Sequence, residues 1–231
     1  MLSNIKNKEL KKIEKPLQQK IKINEIFYSI QGESTFAGMP CVFIRFTYCN
    51  LRCNYCDTEY AFHDGKELSI EEIIKQVEQY GCHLVEITGG EPLVQENIHF
   101  LIQELFNNNY EVLLETGGHM DIGQVDKRVK IIMDIKCPSS GESDKNLWSN
   151  LQKLNGSTEI KFVMGDKNDF DWAISTIHKY KINQKNTIIF SPVFGKLNNE
   201  KLANWILDSK LPIKMQLQMH KYIWDPDKRG V

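Results

Sequence analysis

The apolar-rich segments of this chain alternate in kind from one end to the other. IKINEIFYSI (21–30) and CVFIRFTY (41–48) are β-branched and aromatic and read as strands. Ser69 is placed to cap a helix over IEEIIKQVEQYG, with Glu71 and Glu72 in its first turn and Gly81 at its C-terminal end. There follow LVEIT (strand), NIHFLIQELFNNN (helix), EVLLET, VKIIMDIK and TEIKFVM (strands), a helix near DFDWAISTIHKYK, TIIFSP (strand), NEKLANWILDS (helix) and IKMQLQM (strand). Strands alternating with helices of roughly a dozen residues predict right-handed β-α-β units around a parallel sheet. No internal repeat, low-complexity segment or linker interrupts the pattern. One domain is expected over residues 21–231, behind a leader, 1–20, with six lysines, Pro16 and at most one frayed helix.

Composition narrows the function classes. A chain of 231 residues buries most of its apolar surface without disulfides or a structural metal. A net charge of -1 gives no electrostatic ground for nucleic-acid binding. No apolar stretch approaches the roughly 18 residues that span a bilayer. The first twenty residues lack the apolar core of a signal peptide. A reduced, cytoplasmic setting is expected, and there six cysteines point to metal or catalysis rather than to disulfides.

In α/β folds functional groups gather beyond the carboxyl ends of the strands. Here polar or glycine-bearing clusters follow strand after strand: CNLRCNYCDT, TGGEP, ETGGH, KCPSSG, SPVFGK and MHK. Mere connections do not need such chemistry each time, so one active site along a single rim is expected.

Cys49, Cys53 and Cys56 are spaced C-x₃-C-x₂-C. Thiolates select zinc, copper(I) or iron–sulfur clusters. A structural zinc site is normally closed by four ligands in two pairs, and here one group of three stands alone. Cys41, Cys82 and Cys137 are scattered singly and read first as small buried hydrophobes. A [4Fe–4S] cluster on the three would keep one iron without a protein ligand, open to a small molecule.

That spacing, with an aromatic (Tyr55) before the last cysteine and TGGEP in the next strand-end loop, resembles the radical S-adenosylmethionine superfamily. Within it, YSIQGEST, FIRF, CDT, ITGGEP and LQMHKYIW are similar to the family of 7-carboxy-7-deazaguanine synthases, from about Ile23 to Pro226. The resemblance implies an incomplete (β/α) barrel of about six parallel strands. It implies that S-adenosylmethionine chelates the open iron and that the reduced cluster releases a 5′-deoxyadenosyl radical. The implied reaction contracts 6-carboxy-5,6,7,8-tetrahydropterin to 7-carboxy-7-deazaguanine, with loss of ammonia, on the way to queuosine and other 7-deazapurines. Mg²⁺, a flavodoxin- or ferredoxin-type electron donor and a homodimer come with it, and neither nucleic acid nor a membrane.

The resemblance also assigns residues, and their chemistry suits the roles. Ile30, Gln31, Gly32, Glu33, Arg45, Thr88, His220 and Pro226 would meet the substrate. Gln31 can both donate to and accept from a pterin edge. Glu33 accepts from amino and ring N–H groups, and Arg45 grips a carboxylate with a bidentate fork. Between Ile44 and Phe46, the side chain of Arg45 points to the opposite face of its strand. Thr58 is the implied Mg²⁺ ligand, with Asp57 behind it or instead capping a helix; Mg²⁺ takes only one or two protein oxygens. Gly90, Glu115, Lys136, Cys137, Pro138, Ser139, Ser191, Pro192, Val193 and Phe194 would hold S-adenosylmethionine, Phe194 against the adenine and Glu115 towards the ribose. Cys49, Cys53, Cys56, Arg45 and Glu33 make up the expected catalytic set.

Two departures stand out. ETGGH replaces the family's ETNG. The chain also runs on past Pro226 as DKRGV, so contact there would be by backbone and not by a terminal carboxylate. Two rival readings are a radical activase acting on a partner protein and a zinc-stabilised binding module with Cys41 or a histidine as fourth ligand. The first has no need of QGE, FIRF and HK arranged for a small carboxylated heterocycle.

Overall fold

The computed structural model describes residues 16–182 and 185–231. Most of the lysine-rich leader, residues 1–15, therefore lies outside the described residues. Nine strands form one sheet: β1 (Lys20–Ile30), β2 (Pro40–Phe46), β3 (Lys66–Ser69), β4 (Leu84–Gly89), β5 (Glu111–Thr116), β6 (Lys130–Asp134), β7 (Glu159–Met164), β8 (Ile188–Pro192) and β9 (Ile213–Met215). Their order is β3-β1-β2-β4-β5-β6-β7-β8-β9, with β3 and β9 as edges. From β2 through β4 to β9 every neighbouring pair is parallel. This is the incomplete barrel expected, with a seventh parallel strand of three residues at its end. The expectation of parallel pairing fails only for β1, which runs antiparallel to β2 and β3. The nine residues between β1 and β2 are too few for a crossover, so the chain must reverse.

The helices are α1 (Ile70–Glu78), α2 (Ile98–Asn107), α3 (Lys167–Lys179), α4 (Asn199–Ser209) and the short α5 (His220–Ile223). Ser69 caps α1 in a full capping box: the Glu72 N–H donates to Ser69 Oγ at 3.2 Å, and the Ser69 N–H donates to the Glu72 carboxylate at 2.7 Å. Asp166 and Asn198 cap α3 and α4 in the same sense. Among the described residues no α-helix links β5 to β6 or β6 to β7. Single 3₁₀ turns at Pro138–Ser140, Ser143–Lys145 and Trp148–Gln152 serve in the second link.

Side-chain alternation splits each strand between two layers. Ile44 and Phe46 of β2, Val85 and Ile87 of β4, Val112 and Leu114 of β5, and Ile160 and Phe162 of β7 join the core beneath the helices. The opposite face carries a smaller apolar plug of Phe27, Cys41, Phe43, Leu84, Leu113 and Ile132. A register shift between Ile23 and Glu25 moves β1 from one layer to the other: Ile21 and Ile23 sit under the helices, whereas Phe27 joins the plug. The open side of the barrel is bridged by the loop after β1. The Thr35 N–H donates to the Glu159 carboxylate at 3.1 Å, the Ser34 N–H donates to Gln216 Oε1 at 2.6 Å, and the Met219 N–H donates to the Gly32 carbonyl at 3.0 Å. Among the described residues no helix is long and apolar enough to cross a membrane.

Candidate active site

Above the apolar plug the inner face turns polar, and the expected substrate residues meet there. Arg45, Thr88 and Glu115 lie at the carboxyl ends of β2, β4 and β5, with Lys161 on β7 across from them. The Thr88 hydroxyl donates to Glu115 Oε2 at 3.1 Å, and Lys161 Nζ donates to Glu115 Oε1 at 2.8 Å. Lys161 is also ion-paired to Glu33, brought over by the loop after β1. Burial would strip Lys161 of its proton, but the Glu115 and Glu33 carboxylates hold its pKa well above the ordinary value. Burial pushes Glu115 up, and the Lys161 and Lys136 ammonium groups outweigh it, so its pKa ends lowered.

Glu86 behaves in the opposite way. Buried on β4, and with the charges of Glu115 and Glu33 near it, its carboxyl is pushed well above the usual range. It accepts a hydrogen bond from the Gln31 amide, whose oxygen in turn accepts from the Glu33 N–H at 2.8 Å. Both ends of Gln31 are thus engaged within the protein, and one N–H and one lone pair remain for a ligand. His220, the first residue of α5, packs on Gly32: a Cβ there would fall 2.3 Å from His220 Nδ1, so only glycine lets this loop and α5 meet. Ile30 ends β1 half-buried.

Arg45 is held by one edge only. Its Nε donates to Glu25 Oε1 at 2.7 Å, and the Tyr60 hydroxyl donates to the same oxygen at 2.8 Å. Its guanidinium lies 5.5 Å from the Phe27 ring centre and 5.8 Å from that of Tyr60. The terminal N–H groups remain for a carboxylate. Pro226 is exposed in the turn after α5, but the chain beyond it returns to the site, with the Arg229 guanidinium 4.0 Å over the Tyr60 ring.

The three cysteines share the loop that leaves β2. All are free and half-buried. Burial pushes the Cys49 and Cys53 thiols up, Cys53 to about 11, against the pull of Lys136, and each feels the charge of Cys56. The loop is strapped to its neighbours. Tyr55 Oη donates to the Val163 carbonyl at 3.0 Å, the Asn54 N–H donates to the Ser140 carbonyl at 2.9 Å, and Arg52 donates to the Cys49 and Leu51 carbonyls at 2.6 Å. Among the described residues no three of His, Cys, Asp and Glu converge on one metal ion. Cys41 cannot supply a fourth ligand: it lies at the start of β2, about 20 Å of strand from the end where Cys49 follows.

After Cys56, the carboxylate of Asp57 accepts from Lys221 at 2.7 Å and from Gln218 at 3.0 Å. Burial pushes it up, yet the Lys221 ammonium outweighs that and holds it at about 2. Thr58 stands at the cap position of the 3₁₀ turn Glu59–Phe62, but its side chain makes no capping bond. Its hydroxyl, 3.7 Å from Cys56 Sγ, is an oxygen that a hard cation could take, as is Asp57 Oδ1, since both bonds to Asp57 fall on Oδ2.

The expected cofactor residues follow along the rim. Gly90 packs against the start of the cysteine loop, where a Cβ would sit 1.9 Å from the Tyr48 carbonyl oxygen. Glu91 is buried and joins two rim loops, accepting from the Thr116 hydroxyl and the Gly117 N–H at 2.8 Å. Lys136 pairs with Asp134 at 2.7 Å, Cys137 points into the outer core, and the Ser139 hydroxyl is taken by Asp169. Pro138 opens the 3₁₀ turn beyond Cys137. Ser191 is buried with no partner for its hydroxyl, and Asp134 Oδ1 is likewise unpartnered. Buried polar atoms left so are costly unless something else binds them, and these two fit a polar ligand laid along the rim. Pro192 ends β8 buried, Val193 is tied to the Met164 carbonyl, and Phe194 is 38% exposed, edge-on to Tyr222.

Lys161, Glu86, Asp134, Glu25 and Tyr60 belong to the site although the sequence reading passed them over. A signal existed for two of them. A lone Glu in LVEIT and a lone Lys in EIKFVM interrupt apolar strands, and such residues are almost never buried unless paired.

Residues 43–208 match the model of the radical SAM superfamily, and the chain belongs to that superfamily. Its relatives narrow the class. It is similar to the 7-carboxy-7-deazaguanine synthase of Chlorobaculum tepidum, 48% identical over 91% of this chain and 97% of that one. It is similar also to the 7-carboxy-7-deazaguanine synthase of Koribacter versatilis, 40% identical over 91% of this chain and all of that one. Among solved structures it resembles QueE from Escherichia coli, with a TM-score of 0.74 over 87% of this chain and 95% of that one; at 22% identity that likeness speaks for the fold.

Proposed function

We propose that the chain catalyses the reaction its relatives are named for, contracting 6-carboxy-5,6,7,8-tetrahydropterin to 7-carboxy-7-deazaguanine with loss of ammonia. The observation that carries this reading is a loop of three free thiols at the rim of an inner face that presents an Arg45 fork and the Glu33–Lys161–Glu115 group side by side. When bound, a [4Fe–4S] cluster on Cys49, Cys53 and Cys56, with S-adenosylmethionine on its open iron, supplies a hydrogen-abstracting radical.

The protein's own part is binding and orientation. Arg45, fixed by Glu25 and Tyr60, takes the substrate carboxylate. Glu33 accepts from the ring and amino N–H groups, while Thr88, His220 and the free positions of Gln31 contact the remaining polar edge and Ile30 its flat side. The contact assigned to Pro226 falls to the backbone of the tail. Thr58 would hold Mg²⁺, which would help neutralise the substrate carboxylate, with Asp57 beside it fixed by Lys221. Gly90, whose lack of a side chain lets its loop close on Tyr48 and Cys49, would meet the methionyl group with its backbone, and Glu115, Lys136 to Ser139 and Ser191 to Phe194 line the rest of the cofactor's path. The working unit is the single domain 21–231. It acts as a cytoplasmic homodimer, takes electrons from a flavodoxin- or ferredoxin-type donor and feeds queuosine or another 7-deazapurine.

The test is anaerobic. The cluster is reconstituted, and S-adenosylmethionine, reductant, Mg²⁺ and the tetrahydropterin are added; 7-carboxy-7-deazaguanine should form, and Cys53→Ala should abolish it. Cleavage of S-adenosylmethionine with no deazaguanine would sink the substrate assignment and leave the radical chemistry standing.

A further inference from the structure

Lys161 is a cation inside a barrel, its side chain only 4% exposed, on a strand whose other charged residue, Glu159, accepts from Thr35. Such a group persists only where fixed charges hold it. Here two do, each from a different element: Glu33 from the loop after β1 and Glu115 from β5. Other anchors fix the loop's backbone: Gln31 takes the Glu33 N–H, Gln216 the Ser34 N–H and Glu159 the Thr35 N–H. None of them sets the Glu33 side chain. Among the described residues the polar partners of its carboxylate are Lys161 and, at 3.1 Å, Gln218, which is shared with Asp57.

We propose that Lys161 is a positioning residue for the substrate, holding the Glu33 carboxylate against Glu115 so that it faces the ring N–H groups. The inference rests on the substrate reading above. Without the cation, two half-buried carboxylates face each other, and Glu33 swings away from the place where it binds.

The measurement is calorimetric titration of the reconstituted enzyme, holding S-adenosylmethionine but no reductant, with 6-carboxy-5,6,7,8-tetrahydropterin. Lys161→Met should raise Kd about 10- to 100-fold, the range seen when a residue that orients a binding group is lost. Because Lys161 acts through Glu33, the same change in a Glu33→Gln background should alter Kd less than about threefold. If Lys161→Met does not fold, Lys161→Gln, which keeps an N–H donor without the charge, takes its place, with a rise of at least about fivefold expected. A change under threefold in the wild-type background, or an equal factor in both backgrounds, overturns the proposal. Wild-type protein that does not bind the tetrahydropterin overturns the substrate reading and this inference together, whereas binding with additive variants overturns the inference alone.

Discussion

Ile44 and Arg45 are consecutive residues of β2, and they face different worlds. Ile44 is wholly buried under the helices among Val42, Phe46, Val85 and Ile87. Arg45 looks into the barrel, between the Phe27 and Tyr60 rings, with Glu25 on one edge of its fork. The same contrast runs along the sheet: Ile87 against Glu86 and Thr88, Leu114 against Glu115, and Ile160 and Phe162 against Lys161. The outer layer stabilises by area, which is additive and tolerant of chemistry. The inner layer depends on each charge keeping its partner, because a buried charge left alone is costly. The two layers should therefore fail differently when mutated.

The largest effect belongs to the outer layer. Ile44→Ala should cost about 2–5 kcal/mol of stability, since it opens a cavity where neighbours on several elements cannot all collapse. In a chain of this length that is a drop in Tm on the order of 10 °C, read by thermal melt. Kd for the tetrahydropterin, measured well below the melt, should stay within about twofold. A large loss of binding from Ile44→Ala would break the division between layers. Arg45→Ala should do the reverse: removing a bidentate, charge-assisted contact raises Kd by roughly 30- to 150-fold, about 2–3 kcal/mol. Its effect on Tm should be the smaller of the two. Arg45→Lys should not restore binding, because an ammonium cannot grip Glu25 with one edge and a carboxylate with the other.

Much of this was readable beforehand, and the reason lies in the alternation itself. Strand, helix and cap positions followed from local pattern: Ser69 caps its helix as expected, and Glu72 of the first turn completes a capping box. The reading of Arg45 as inward-facing needed only the period of two. The reversal at β1 was missed because pairing direction depends on loop length and on a bulge at 23–25, neither of which apolar content reports. β3 was missed because KELS is four residues with none fully buried. In the site, motif residues were legible while their partners were not. Lys161 and Glu86 gain meaning only from side chains far away in sequence, Glu33 and Gln31, which no local window contains. Glu91 shows the converse: it lies inside the GGEP motif, yet its carboxylate is spent tying Thr116 and Gly117 to its own loop.

The smallest effect tests where the pH dependence lives. Among the described residues the fully buried part of the helix-side core holds no ionisable side chain besides the thiol of Cys137, and the inner side and its rim hold many. His119, in the loop after β5, is the sharpest case. Its Nε2 lies 2.6 Å from Asn50 Oδ1, which can only accept, so Nε2 carries the proton. Burial, and then the Lys136 charge, lowers its pKa to about 4. Glu91 stands 3.7 Å from Nδ1, and burial pushes its carboxyl above the usual range. The unfolded chain takes up a proton at this histidine near pH 6.5, whereas the folded chain does not until about 4. In that window the unfolded state binds more protons, so stability rises with pH and is lost as pH falls. Between pH 8 and pH 5 the loss should amount to about 2 kcal/mol. His119→Gln, which keeps an N–H for Asn50 but cannot titrate, should be flatter than wild type by that amount when denaturant unfolding is followed at both pH values. Parallel curves would mean that His119 is as free to protonate in the folded protein as in the unfolded one, and that the rim is wetter than its contacts imply.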